Sequence, residues 1–259
     1  MHTFRTVRAR ALAAVTLALV TTVSTVPPAS AQDSGVDGPL AMPSVSGVAP
    51  TSGLVAGGLV ITLTGRNLTG ATAVTFGTVP AAGFTVVSDT TLTAVAPALG
   101  KGTVALSVTT PAGTGTAGSF TVRSYEDEVL RLVNEARGSA RRCGSRKARA
   151  VPPLRADATL ARVAAAHSAD MAAHDYFSHD SLNGRSAFQR IRDAGYRYSS
   201  AGENIAAGFR TPNSVVKAWL KSPGHCRNIM KRSYTELGVG YAAGGYYGSY
   251  WTQDFGNPR

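Results

Sequence analysis

Acidic residues are scarce in this chain of 259 residues, with 15 against 26 lysines and arginines. Residues 43–122 contain neither histidine nor cysteine, and Asp89 is their only carboxylate. That segment therefore lacks the groups for acid–base or nucleophilic chemistry, and it has too few oxygen ligands for a calcium cage. The whole chain has no His-Glu-x-x-His pair and no recognisable nucleophile motif, which excludes the metalloprotease helix and the nucleophile elbow. Its longest apolar run, Ala11 to Val20, is too short to span a bilayer. There are only two cysteines, so one intramolecular pairing is available.

What is present at the start reads as an export signal over residues 1–31. Arg5, Arg8 and Arg10 precede the apolar run, and Pro27-Pro28-Ala29-Ser30-Ala31 ends in a small-x-small cleavage pattern. A secreted or extracellular location follows, with Gln32 as the new N-terminus. No cysteine near the cut suggests a lipid anchor, and no transmembrane segment is expected in the mature chain. An oxidising compartment favours a disulfide between Cys143 and Cys226 over two free thiols. Charge is uneven: residues 32–123 carry three basic and three acidic residues, whereas residues 124–259 carry 20 and 12. A basic exported domain suits an anionic wall polymer or envelope lipid, and cell-wall association with it. Arg141, Arg142, Arg146, Lys147 and Arg149 form the densest basic run, which also reads as a solvated loop. Nucleic acid is a poor partner for an exported chain, and oligomeric state is not legible.

After a linker at residues 32–42, residues 43–123 read as short strands. Leu59, Ile61 and Leu63 alternate with polar or smaller neighbours, as do Val104, Leu106 and Val108. Turn signals such as Gly57-Gly58, Ser88-Asp89 and Pro111-Ala112-Gly113 recur between them. The pattern predicts a small β-sandwich. The stretches Val48-Ala49-Pro50-Thr51-Ser52-Gly53, Ile61-Thr62-Leu63-Thr64-Gly65-Arg66-Asn67-Leu68, Val74-Thr75-Phe76-Gly77 and Phe120-Thr121-Val122 resemble IPT/TIG immunoglobulin-like domains. The resemblance implies an all-β Ig-like sandwich acting as spacer or adhesive module.

Residues 124–259 change period. Val129, Leu132, Val133 and Ala136 recur at helical spacing behind Glu126, Asp127 and Glu128, acids that suit a first turn. Asp157 is placed to cap a second helix with a stripe of Leu160, Val163, Ala164, His167 and Met171. A third is expected near Ser186 to Ala194 with Phe188 and Ile191 inward, and a fourth from Thr211-Pro212 burying Val215, Val216, Trp219 and Leu220. Strands at Leu237–Tyr241 and Tyr250–Phe255 close an α+β domain. Leu132-Val133-Asn134-Glu135-Ala136-Arg137, Tyr176-Phe177-Ser178-His179, Gly202-Glu203-Asn204-Ile205, Ser222-Pro223-Gly224-His225 and Gly238-Val239-Gly240, in that order, resemble the bacterial branch of the CAP superfamily. That resemblance implies an α-β-α sandwich with a cleft holding two histidines and two glutamates.

By motif, His179, Glu203 and His225 take three of those places, and Ser222 stands where the second glutamate would be. These groups, with Asn204, are expected to form one site assembled from separate loops. Three uses are open. Glu203 and Asn204 brace the cleft; or His179 and His225, with Glu203 nearby, hold zinc; or Glu203 is a catalytic base, with or without metal. The missing carboxylate favours a binding module for a lipid or wall fragment over the alternative, a metal-assisted hydrolase or peptidase. His167, on its helix stripe, reads as a core residue, and His174 as at most a reserve ligand.

Overall fold

The computed structural model describes residues 40–259, so the signal segment and most of the linker lie outside the described residues. The first domain contains β1 (Ser44–Ala49), β2 (Ser52–Leu54), β3 (Val60–Arg66), β4 (Ala73–Phe76), β5 (Val79–Pro80), β6 (Gly83–Ser88), β7 (Thr91–Val95), β8 (Gly102–Thr110) and β9 (Gly113–Arg123). Two sheets, in orders β1-β3-β7-β6 and β2-β9-β8-β4-β5, face each other. The alternation read from sequence is what fills the space between them: Ile61, Leu63, Leu92, Leu106, Val108 and Phe120 are all buried, with Phe76 and Phe120 meeting edge to face. The domain is an all-β sandwich.

β9 leads directly into α1 (Tyr125–Arg137), whose N-cap is Ser124, accepting from the Asp127 amide at 3.1 Å. The second domain continues with the hairpin β10 (Arg141–Cys143) and β11 (Arg146–Ala148), then β12 (Arg155–Ala156), α2 (Ala158–Ala173), α3 (Ala187–Asp193) and β13 (Tyr198–Ala207). It ends with α4 (Pro212–Lys221), α5 (Pro223–Ile229), β14 (Glu236–Ala243) and β15 (Ser249–Pro258). The sheet order is β12-β14-β15-β13, with β13 at one edge.

Helices cover both faces of this sheet. Leu237, Val239, Trp251 and Phe255 point to one side and pack with Val129 and Val133 of α1, Val215 and Trp219 of α4, and Ile229 of α5. On the opposite side, α2 lies almost on the strands because β14 offers Gly238 and Gly240 at alternate positions. A Cβ on Gly240 would sit 2.2 Å from the Ala164 carbonyl carbon, and one on Gly238 would sit 2.1 Å from the Ala161 nitrogen. The result is an α-β-α sandwich. Leu160, Val163, Ala164, His167 and Met171 of α2 are buried as their spacing predicts.

Two expectations fail locally. Phe188 is 44% exposed, not inward, because α3 is only two turns long and its inner face is taken by Ala187, Arg190 and Ile191. The three site motifs are also not all loops. Glu203 and Asn204 lie within the strand β13, and His225 lies within the helix α5. Only His179 is on a loop. The strand escaped notice because its buried centre, Glu203-Asn204, is polar, so it shows no apolar alternation.

Candidate functional site

The site forms along the edge strand β13, between the two helical layers. Edge strands leave one row of backbone groups unpaired. Here those carbonyls are covered by side chains: Tyr234 Oη donates to Ala201 O at 2.8 Å, Asn228 Nδ2 to Glu203 O at 3.2 Å, and Trp219 Nε1 to Ile205 O at 3.1 Å. Residues 201, 203 and 205 therefore turn their carbonyls outward, and Glu203 and Asp254, directly opposite in register, form a non-hydrogen-bonded pair with side chains close together.

Glu203 is the hub. Its side chain is 3% exposed; Oε1 accepts from His179 Nδ1 at 2.6 Å and Oε2 from Arg190 Nη2 at 2.6 Å. Arg190 Nη1 also donates to His179 O at 2.9 Å and Arg185 O at 3.0 Å, so one guanidinium fixes both the carboxylate and the histidine's loop. The buried His167 supports the same loop, its Nε2 meeting Ser178 O at 2.9 Å. Burial pushes the His167 pKa down, and its bond to the Ser178 carbonyl makes it a buried strut beneath the loop.

Asp254 is fully buried, and neither of its oxygens has a donor among the described residues. Burial first, and then the facing Glu203 carboxyl, holds its pKa well above the usual carboxylate range. Burial and the facing carboxyl thus favour the protonated form of Asp254. One Arg190 charge faces the two carboxyls.

The two histidines approach from opposite layers. Nδ1 of His179 is held by Glu203, which raises its pKa against the opposing effect of burial and leaves Nε2 directed away from the carboxylate. His225 on α5 is half-buried, and burial, followed by the nearby His179, lowers its pKa. Its helix is tied down repeatedly. Asn204 Nδ2 donates to His225 O at 3.3 Å and to Gln253 Oε1 at 3.0 Å, while Asn204 Oδ1 accepts from Asn228 Nδ2 at 2.9 Å. The adjacent Cys226 is disulfide-bonded to Cys143 of β10, with Cα atoms 5.4 Å apart. The fully buried Arg137 donates to Ile229 O at 2.6 Å, Lys231 O at 3.2 Å, Tyr234 O at 3.2 Å and Pro152 O at 2.8 Å, closing the C-terminal end of α5. Burial brings its pKa down to about 10.

Beside His225 runs a trough of about 450 Å³ bounded by Phe177, Ile205, Phe209, Trp219, Ser222 and Tyr247. Ser222 borders it as the shared cap residue between α4 and α5. Phe177 and Tyr247 are 45% and 47% exposed, with ring centroids 6.1 Å apart, and form the rim.

His179, Glu203, Asn204, His225 and Ser222 are thus brought to one edge of the sheet, but not as equals. Asn204 braces α5, and Glu203 has both oxygens engaged. Zinc at this edge would have His179 Nε2 and His225 as donors, with Glu203 behind His179 as an orienting carboxylate. Among the described residues no three histidine, cysteine, aspartate or glutamate side chains converge as a metal-ligand set. His174 lies outside the site, exposed and bonded to Asp170. Sequence reading missed Arg190 and Asp254. The signal for Asp254 was a lone acid in an otherwise apolar or neutral strand, Tyr250-Trp251-Thr252-Gln253-Asp254-Phe255.

Comparison with known proteins places two families on this chain. Residues 130–255 match the model described as CAP, cysteine-rich secretory protein family, and residues 43–122 match that of the IPT/TIG domain. The chain is 40% identical over 142 residues to the uncharacterized protein YkwD of Bacillus subtilis (strain 168), covering 55% of this chain and 51% of that protein. It is 37% identical over 99 residues to the uncharacterized membrane protein YlbC of the same organism, covering 38% of this chain and 27% of that protein. The chain thus spans about half the length of one relative and about a quarter of the other. Among solved structures, an extracellular protein containing a SCP domain from Bacillus anthracis str. Ames shares 31% identity with a TM-score of 0.42, over 51% of this chain and 40% of that one. No helix among the described residues is long and apolar enough to cross a membrane.

Proposed function

We propose, from the premise that this chain joins an IPT/TIG domain to a CAP domain of the cysteine-rich secretory protein family, that it is an exported binding protein whose cleft takes an amphipathic envelope ligand. The observation carrying this reading is an apolar trough, rimmed by exposed aromatic rings, that opens onto His225, with His179 near enough to lower the His225 pKa. A ligand's polar head meets His179 Nε2 and His225, and its apolar part lies along Phe177, Phe209, Trp219 and Tyr247. The IPT/TIG domain acts as a spacer. The test is titration of the full chain with a dansyl-labelled fatty acid. Saturable one-to-one binding is expected, weakened about tenfold in Phe177→Ala or Tyr247→Ala as one aromatic contact is lost. Both residues are exposed on the rim, so folding is retained. Absence of saturation, or binding indifferent to both changes, would overturn the reading.

A second reading, metal-assisted hydrolysis, is favoured by one observation: the Glu203 carboxylate holds His179 Nδ1 as carboxylates hold metal-bound imidazoles. Zinc titration of the chain against His179→Ala and His225→Ala separates the two. Stoichiometric zinc lost in both variants, with peptide or wall-fragment turnover, supports hydrolysis. Folded variants and parent alike without zinc retire it.

A further inference from the structure

At the far end of β13 from the histidines lies a second cleft, of about 620 Å³, bounded by Arg192, Tyr196, Arg197, Tyr198 and Arg259. Tyr198 and the trough residues Ile205 to Ala207 are seven to nine positions apart, roughly 25 Å along an extended strand. We propose that this cleft binds an anionic polyol or sugar polymer, independently of the His179–His225 site.

The positive charge that lines this cleft has no acidic partner among the described residues. Several arginines of the domain are committed: Arg131 pairs with Glu128 and Glu135, Arg155 with Glu236, Arg185 with Asp193, and Arg190 with Glu203. Others, among them Arg146, Arg162 and Arg227, make no ion pair among the described residues, so what marks this cleft is that three unpaired arginines border one cavity. Arg137 is enclosed by carbonyls. Arg192, Arg197 and Arg259 make no ion pair among the described residues. Arg192 is bonded only to a neutral phenol, its Nη1 donating to Tyr198 Oη at 2.9 Å, and so keeps its net charge while being held in place. All three arginines are exposed. Glu236, the carboxylate bonded to the floor residue Tyr196, is engaged by Arg155 and by the Tyr196 hydroxyl at 2.6 Å.

The cleft is also built. Tyr196 lies across Gly256 of β15 so closely that a Cβ there would fall 2.3 Å from its hydroxyl oxygen, and this glycine is what lets the ring form a rigid floor. Arg259 is fixed beside it, its amide donating to Arg197 O at 3.2 Å. Three forked guanidinium groups around two tyrosine rings suit repeated phosphate or carboxylate groups carried on a polyol or sugar backbone. The forks take the anions, and the half-buried Tyr198 ring offers a flat face to C–H groups. The run Arg141 to Arg149, the densest in sequence, lies on and just after the β10–β11 hairpin, and of its basic residues Arg141 borders a separate cleft of about 510 Å³ shared with Glu135.

The experiment measures binding of the full chain to a glycerol-phosphate oligomer, to a uronate oligomer and to neutral dextran. The parent is compared with Arg192→Gln/Arg197→Gln/Arg259→Gln and with Arg142→Gln/Arg146→Gln/Arg149→Gln, which removes the same number of charges elsewhere. Expected are binding of at least one anionic oligomer, none of dextran, a loss of about tenfold or more in the first variant, and less than threefold in the second. The stronger oligomer identifies whether phosphodiester or uronate is the source. Equal losses in the two variants would reduce the effect to net charge and overturn the proposal, as would failure of both anionic oligomers to bind. Retained binding of the dansyl fatty acid by the first variant shows that it is folded and that the two sites are separate.

Discussion

Removing the two facing carboxyls singly and together tests the charge arrangement inside the sheet. Arg190 contributes one positive charge on a side chain only 9% exposed, opposite Glu203 and Asp254. In Glu203→Gln the contacts to His179 and Arg190 fall from charge-assisted to ordinary hydrogen bonds, a loss of about 1 kcal/mol each. Asp254 is then free to ionise against Arg190, so the total stays near about 2 kcal/mol. Asp254→Asn replaces an acid whose protonated form is already favoured by burial and should lie within about 1 kcal/mol of the parent. The double variant leaves Arg190 with no carboxylate, and stripping the partner from a buried ion costs about 3–5 kcal/mol. The expected coupling is therefore about 1–3 kcal/mol. Urea unfolding followed by tryptophan fluorescence reads it cleanly, because both tryptophans, Trp219 and Trp251, are buried in this domain. Additivity within about 0.5 kcal/mol would refute the coupling of the two carboxyls through Arg190. A pH series supplies the sign. A folded pKa raised above the unfolded value gives stability that is complete below the unfolded value, about 3.9, and is lost as pH rises through the folded one. Asp254→Asn should therefore gain on the parent as pH rises above that point, and parallel curves would contradict the assignment.

Other parts of the domain give independent tests. The Cys143–Cys226 bond closes a separation of 83 residues, so Cys143→Ser/Cys226→Ser should lose about 4.5 kcal/mol in urea unfolding on the loop-entropy model, and a loss below about 1 kcal/mol would show that it constrains little. Gly240→Ala forces a Cβ to 2.2 Å from the Ala164 backbone and should cost about 3 kcal/mol. Gly224→Ala on α5, where the nearest atom is Arg227 Nη2 at 4.0 Å, should stay within about 0.5 kcal/mol, and equal losses would remove the close helix-to-sheet approach as the cause. The His179 imidazole, followed by NMR, should titrate above the ordinary histidine value because it donates to Glu203, and fall back in Glu203→Gln; any stability it adds is present at low pH and lost as pH rises through its folded value. An unshifted midpoint in the parent would contradict the His179–Glu203 contact.

How much of this was legible depended on whether the signal was apolar or polar. Strand alternation at Ile61, Leu63, Leu106 and Val108, the stripe of α2 and the caps at Asp157 and Thr211 are local patterns, and the structure follows them. Gly238 and Gly240 read as strand residues, but their purpose, letting the α2 backbone descend onto β14, appears only in three dimensions. The site was half legible. His179, Glu203 and His225 stand out as isolated polar residues in recognisable motifs, whereas Arg190 sits among the ordinary surface arginines of α3, and Asp254 meets Glu203 only through strand register. A polar pair at the middle of a buried strand defeats a search for period-two hydrophobicity, and this is also why α5, short and opened by Pro223-Gly224, read as a loop.

The engagement of Glu203 constrains what any chemistry at this edge can use. A general base needs a free lone pair aimed at the proton it removes, and here one oxygen is bound by Arg190 and the other by His179. Protonating Glu203 would weaken its charge-assisted bonds to Arg190 and His179 inside a buried pair. The atom left for a ligand is therefore His179 Nε2, with Glu203 acting through the ring by fixing its tautomer and orientation. His225 is held separately, by Asn204, the disulfide and the Arg137 clamp on α5. The His179 ring is fixed by Glu203 and the His225 backbone by Asn204, so part of the site is ordered before a ligand arrives. Such pre-organisation lowers the entropic cost of binding, and it makes occupancy of the trough the property on which the reading stands or falls.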